Sequence, residues 1–140
     1  MEKVIPIDKE YIYAGDVIIS QTDTNGFITY VNRAFAIASD YTTDELLGKS
    51  QNIIRHPDMP KIIFAKMWET ISGGQSWNGL VKNLRKDGMY YWVETEIIPI
   101  VADGETEITG YIAVRKEASR KNIKEAEETY KKMLETQEQG

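Results

Sequence analysis

The 140-residue chain contains no cysteine, one histidine and four prolines, and each scarcity removes a class of chemistry. Without cysteine there are no disulfides, no thiolate metal sites and no cysteinyl adduct to a light-absorbing cofactor. With His56 as the only imidazole, multi-histidine metal centres are excluded. No apolar run approaches the roughly 20 residues that cross a bilayer, and the opening MEKVIPIDKE lacks the apolar stretch of a signal peptide. A cytoplasmic protein, with no membrane insertion by this chain, is the expectation. A net charge of -5 withholds the clustered cations that nucleic-acid phosphates require, so nucleic acid is not an expected partner. Nucleophile motifs, phosphate loops and metal-ligand clusters are also missing, which argues against an enzyme.

What is present suits one hydrophobic core: 41% hydrophobic and 28% charged residues is a globular balance. Asp16 to Thr22 and Phe27 to Val31 are β-rich runs joined by Asp23-Thr24-Asn25-Gly26, whose Asn-Gly pair signals a hairpin. From Asn32 to about Ile71, alanines, leucines and Asp/Thr starts predict several short helices, broken at Gly48, Pro57 and Pro60. The strongest begins near Pro60 with Asp58 as N-cap and carries Phe64, Met67, Trp68 and Ile71 on one stripe, ending at Gly73-Gly74. Three strands follow, Trp77 to Arg85, Met89 to Val101 and Ile108 to Lys116. A closing helix from about Ser119 places Ile123, Ala126, Tyr130, Met133 and Gln137 on a seam of coiled-coil spacing, a candidate contact with a second helix.

Strand alternation puts Trp77, Gly79, Val81 and Asn83 on one face, and Tyr91, Val93, Thr95 and Ile97 on the matching face of the next strand. A glycine between a large aromatic and a carboxamide suggests that a flat ligand approaches the backbone there. Trp92, with Leu80, Leu84, Tyr90 and Tyr111, is expected to form an outer apolar patch covered by the N-terminal lead-in or by a second copy.

The run Arg55-His56-Pro57-Asp58-Met59-Pro60 resembles the signature of the PAS domain of bacterial aerotaxis (energy-taxis) receptors. The similarity continues through Thr22-Asp23, Gly26 to Asn32, Tyr41 to Gly48, Trp77, Lys82-Asn83, Lys86, Gly88, Tyr91-Trp92-Val93 and Gly110-Tyr111, and so covers roughly Thr22 to Glu117. It implies an α+β PAS fold, a five-stranded antiparallel sheet with short helices on one face and a C-terminal helix. The corresponding division is a lead-in or cap over 1–15, the PAS domain over 16–117 and a helix or linker over 118–140. The resemblance further implies non-covalent FAD, with the redox state passed to a chemotaxis pathway through a homodimer or a partner signalling protein. Residues matching Asn32, Arg55, His56, Asp58, Phe64 and Asn83 are associated with holding the flavin in that family. The sequence departs from the family at Gln51, where histidine is expected, at Ser50, where proline is usual, and at Leu84, where a basic residue is common.

Each candidate also has a plainer reading. Asn83 suits the pyrimidine edge of a flavin, because its amide donates and accepts together, or it satisfies strand ends. Trp77 stacks on a ring or simply packs the core, and Trp68 and Phe64 sit on a helical stripe whose default role is packing. Arg55 and His56 meet phosphate or ribose, or belong with Asp58 to a rigid loop fixed by its prolines. Asn32 opens a helix and could act as its N-cap, with or without a ligand role. The alternative for the whole domain is a cofactor-free or haem-binding PAS module for dimerisation and docking.

Overall fold

The computed structural model describes residues 3–139, with side chains from 3 to 138; residues 1 and 2 of the expected lead-in and Gly140 of the terminal segment lie outside the described residues. The elements run β1 (Ile18–Thr22), β2 (Ile28–Val31), α1 (Arg33–Ser39), α2 (Thr43–Leu46), a 3-10 turn (Gln51–Ile54), α3 (Lys61–Ser72), β3 (Trp77–Leu84), β4 (Tyr90–Val101), β5 (Ile108–Glu117) and α4 (Arg120–Gln139). The five strands form one antiparallel sheet in the order β2-β1-β5-β4-β3, the expected architecture. The last strand lies between the first and the fourth, so the N-terminal hairpin and β3 become the two edges. Asp23 fixes the hairpin turn by accepting through Oδ1 from the amides of Asn25 and Phe27, and Gly26 supplies the positive φ of 85° that the turn requires.

Helices α1 and α3 cover the inner face. Around α1 the buried set includes Ile18, Ile28, Phe35, Leu46, Tyr91 and Val93, while Met67 and Ile71 of α3 pack with Tyr111, Phe64, Trp77 and Ile97. Burying a side chain such as Phe35 or Ile71 contributes about 1.5–3 kcal/mol, so these two clusters hold the helices to the sheet. The expected outer patch is divided differently. Tyr111 faces inward to α3, whereas Trp92 is 4% exposed beneath Ile123 and Ala126 of α4, with Leu80, Tyr90 and Tyr130 beside it. The cover over Trp92 is therefore the protein's own terminal helix, while the lead-in pairs with Tyr90. The seam expected for a coiled coil is in part an intramolecular one, sealed by a bond from the Tyr130 hydroxyl to the Leu80 carbonyl at 2.6 Å.

The lead-in runs along the β3–β4 turn, with Ile7 donating to Gly88 O, Tyr11 to Tyr90 O, and Tyr90 to Lys9 O. Gly88 is required there: it has φ of 92°, and a Cβ would stand 2.6 Å from the Ile5 carbonyl. Tyr13 then enters the core. No helix among the described residues is long and apolar enough to cross a membrane.

Candidate functional site

A cleft of about 910 Å³ opens between the 3-10 turn, the Arg55–Pro60 loop and α3, lined by Asn52, Ile53, Arg55, His56, Phe64 and Trp68 among others. Arg55 forms a β-bridge with Asn83, which docks the loop against the free edge of β3. Its guanidinium lies 3.9 Å above the Phe64 ring; burial lowers its pKa from the usual arginine value. His56 is 4% exposed, accepts through Nδ1 from the Asp58 amide at 3.0 Å, and meets the Tyr90 ring edge-on. Burial, and secondarily the Lys82 cation, push its pKa down to about 4 against an opposing pull from Asp58, so the imidazole is neutral near pH 7.

Asp58 does not cap α3. Its side chain is 62% exposed and pairs with Lys82 Nζ at 3.2 Å, and the N-cap position falls to Pro60, which has no side-chain cap to offer. Pro57 and Asp58 form a turn closed by the Met59 amide on the His56 carbonyl, so Asp58 stops short of the helix, and the Lys61 amide donates instead to Gln137 Oε1 of α4 at 2.9 Å. Trp68 lies with its indole 3.3 Å from where a Gly26 Cβ would stand, bridging α3 to the hairpin turn.

Asn83 and Tyr91 face each other across the β3–β4 ladder on the inner face, at 3% and 0% exposure. Among the described residues neither Asn83 Nδ2 nor Tyr91 Oη makes a well-formed hydrogen bond, although the Asn83 side chain lies close enough to pull the phenol pKa down; both amide atoms of Gln51, on the 3-10 turn that lies against β3, and Trp92 Nε1, under α4, are likewise buried and unpartnered. Native cores pair nearly all such groups, because an orphaned buried donor or acceptor costs about 1–3 kcal/mol. Burial pushes the Tyr91 phenol up to about 12, so it remains a protonated donor. None of the three residues lines the cleft, and Asn83 and Tyr91 bear on each other across the ladder, but amides of this kind suit the alternating edge of a flavin ring.

Four of the expected site residues do not line the cleft: Asn32, Asp58, Trp77 and Asn83. Trp77 lies with its indole over Gly79, where a Cβ would be 2.5 Å from the ring. The glycine therefore accommodates the protein's own tryptophan, and the flat group approaching the backbone is that indole rather than a ligand. Asn32 caps α1 and ties it to β1: Oδ1 accepts from the Phe35 and Ile19 amides at 3.1 Å each, and Nδ2 donates to Val17 O at 2.8 Å. Its amide is occupied, and it does not line the cleft. Sequence reasoning did not single out the buried polar atoms of Gln51 and Tyr91.

Residues 28–115 match the family described as PAS fold, and the chain belongs to that family. The five-stranded antiparallel sheet with helices on its inner face is that fold, and the chain is a PAS sensor domain. Among curated relatives, the chain is 44% identical over 114 residues to the aerotaxis receptor of Escherichia coli strain K12, covering 81% of this chain and 22% of that protein. It is 32% identical over 103 residues to the nitrogen fixation regulatory protein of Klebsiella pneumoniae, covering 74% and 21% respectively. The chain thus spans about a fifth of these relatives. Among solved structures, a PAS domain from Colwellia psychrerythraea superposes with a TM-score of 0.66 at 22% identity, covering 74% of this chain and 87% of that one. The dark structure of the blue-light photoreceptor Aureochrome1 LOV gives 0.67 at 20% identity, covering 86% and 84%. At such identities these structures speak for the fold alone.

Proposed function

We propose that this domain is a redox sensor that holds FAD non-covalently and passes its state to a chemotaxis-type signalling partner. The observation that carries the reading is the set of buried, unpartnered polar atoms on Asn83, Tyr91 and Gln51. The likeness to an aerotaxis receptor supports the signalling half. Asn83 and Gln51 would read the pyrimidine edge, and Phe64 would supply apolar wall beside Arg55, which is free to turn from the ring face toward phosphate. His56, neutral and with Nδ1 taken by the Asp58 amide, would donate through Nε2 without adding charge. When bound, the flavin supplies reversible electron uptake; the protein supplies orientation and exclusion of water.

Transmission follows from strand alternation. Tyr91 faces the site and Trp92, its neighbour, faces α4, so a rearrangement of β4 at Tyr91 reaches the helix through one peptide unit. Gln137 gives a second link, since it lines the cleft and also accepts from the Lys61 amide. The partner, or a second copy, would then read how firmly α4 is held.

The test is the visible spectrum of the purified protein before and after FAD is added. Flavin absorption that stays with the protein through gel filtration is the expected result, and a colourless protein after both steps contradicts the reading. A cofactor-free docking module is the second reading. It is favoured by the Trp77 indole over Gly79 and the Arg55 guanidinium over Phe64, which fill space with the protein's own groups.

A further inference from the structure

The cleft is lined by three cations, Lys3, Arg55 and Lys61, and by no aspartate or glutamate, in a chain whose net charge is -5. None of the three side chains has an ion-pair partner among the described residues, whereas Lys82, Arg85, Lys86 and Arg120 each hold a carboxylate. His56 lies in the same wall at 4% exposure, and with Nδ1 taken by the Asp58 amide its Nε2–H has no hydrogen-bond partner among the described residues. Lys61 opens the 12-residue helix α3, whose N-cap Pro60 offers no side-chain cap, so the positive end of the helix dipole stands beside the cleft. The Lys61 amide is met at 2.9 Å by Gln137 Oε1, a neutral oxygen from the last turn of α4. That exposed bond holds a lightly packed end. The buried seam under α4 stops at Tyr130, and beyond it a gap of about 560 Å³ lies between Lys61, Ile62 and Ala65 on one side and Met133 and Thr136 on the other.

We propose that the N-terminus of α3 is a phosphate subsite of the cleft, occupied in the empty domain by Gln137 Oε1, so that a phosphate-bearing ligand displaces Gln137 and frees the end of α4. The Lys61 amide and ammonium, with the Arg55 guanidinium and His56 Nε2–H, form a set of donors alone. An anionic oxygen bonds such donors roughly twice as strongly as a neutral amide oxygen does. Gln137 also gives up rotamer freedom to reach α3, which weakens its hold further. Competition for one amide makes the two contacts mutually exclusive, and by linkage a more firmly held α4 must bind the phosphate less well. The subsite goes beyond the flavin reading, because it is defined by phosphate and needs no ring. A flavin nucleotide is one source of that phosphate and a free anion is another, and the experiment separates them.

The experiment takes riboflavin, FAD and inorganic pyrophosphate in turn, and reads affinity and amide hydrogen exchange over residues 131–138 in the wild type, Gln137→Ala and Gln137→Glu. In the wild type, FAD and pyrophosphate should speed exchange over 131–138, while riboflavin, which has the ring and no phosphate, should leave it unchanged. Gln137→Ala removes the occupant and should raise FAD affinity about threefold, the worth of one exposed neutral hydrogen bond, whereas Gln137→Glu sets a carboxylate on the amide and should lower it about threefold. Riboflavin affinity should not follow either change. If FAD affinity does not move in opposite directions in the two variants, or riboflavin speeds exchange as FAD does, the subsite is overturned while the flavin reading stands. If no flavin binds but pyrophosphate still speeds exchange over 131–138, the flavin reading falls and the subsite stands. If neither FAD nor pyrophosphate alters that exchange, the subsite is overturned.

Discussion

Asn32 and Asn83 are both asparagines at the margin of the inner face, at opposite ends of the sheet. Asn32 has its amide bonded to three backbone groups of β1 and α1, above a fully buried Phe35. Asn83 is as well shielded from water as the core around it, yet among the described residues its Nδ2 makes no well-formed hydrogen bond, and polar atoms of Tyr91 and Gln51 share that condition. Tyr91 packs in the same buried cluster as Phe35, so the contrast lies in the polar atoms rather than in the packing around them. Residue type does not separate structural from binding roles; the fate of the polar atoms does.

Four changes break or sharpen the contrast, from the largest expected effect to the smallest. Phe35→Ala should cost about 3–5 kcal/mol in urea denaturation, because the cavity is enclosed on all sides. A loss under about 1 kcal/mol would mean that Phe35 is not enclosed. The second concerns acid. His56 has its folded pKa depressed to about 4, so between there and the unfolded value near 6.5 the unfolded chain binds a proton that the folded one refuses. Its contribution is complete above about pH 6.5 and is lost as pH falls, by roughly 2–4 kcal/mol in total. His56→Gln should therefore show a shallower decline of stability from pH 7 to pH 4 than the wild type, and parallel curves would place the titration elsewhere.

Asn32→Ala should lose about 1–2 kcal/mol, the value of a helix cap with its strand ties, while leaving FAD affinity unchanged in the folded protein. A specific loss of FAD binding in that variant would erase the distinction between the two asparagines. Asn83→Leu should do the reverse. Removing an orphaned amide leaves apo stability unchanged or raised by up to about 1 kcal/mol, while FAD affinity falls about tenfold. Calorimetric titration beside chemical denaturation reads both signs at once.

Much of the fold was legible because its signals are local. The Asn25-Gly26 turn, the alternation of β3 and β4, and the stripe of α3 each lie within a dozen residues, and each element formed within one or two residues of its expected bounds, β1 starting at Ile18 rather than Asp16. What escaped reading was set by distant partners. The missing cap of α3 is supplied by Gln137, 76 positions away. The periodicity of α4 describes an apolar face equally well whether it meets a second helix or its own sheet, and Trp92 resolved that question only in three dimensions. Gly79 marks a close approach as expected, but its partner is the indole two residues before it. Within the site, Arg55, His56, Phe64 and Trp68 converge on the cleft, whereas the incomplete polar set emerged only after every hydrogen bond around Asn83 had been placed.

The most direct measurement is the nuclear magnetic resonance spectrum of the side-chain amides of Asn83 and Gln51, assigned by substitution, before and after FAD is added. If a flavin edge completes the orphaned set, both amide pairs shift and exchange more slowly with solvent, while the Asn32 pair stays in place. Asn83 and Gln51 resonances that remain where they were in a protein that has taken up FAD would contradict the account.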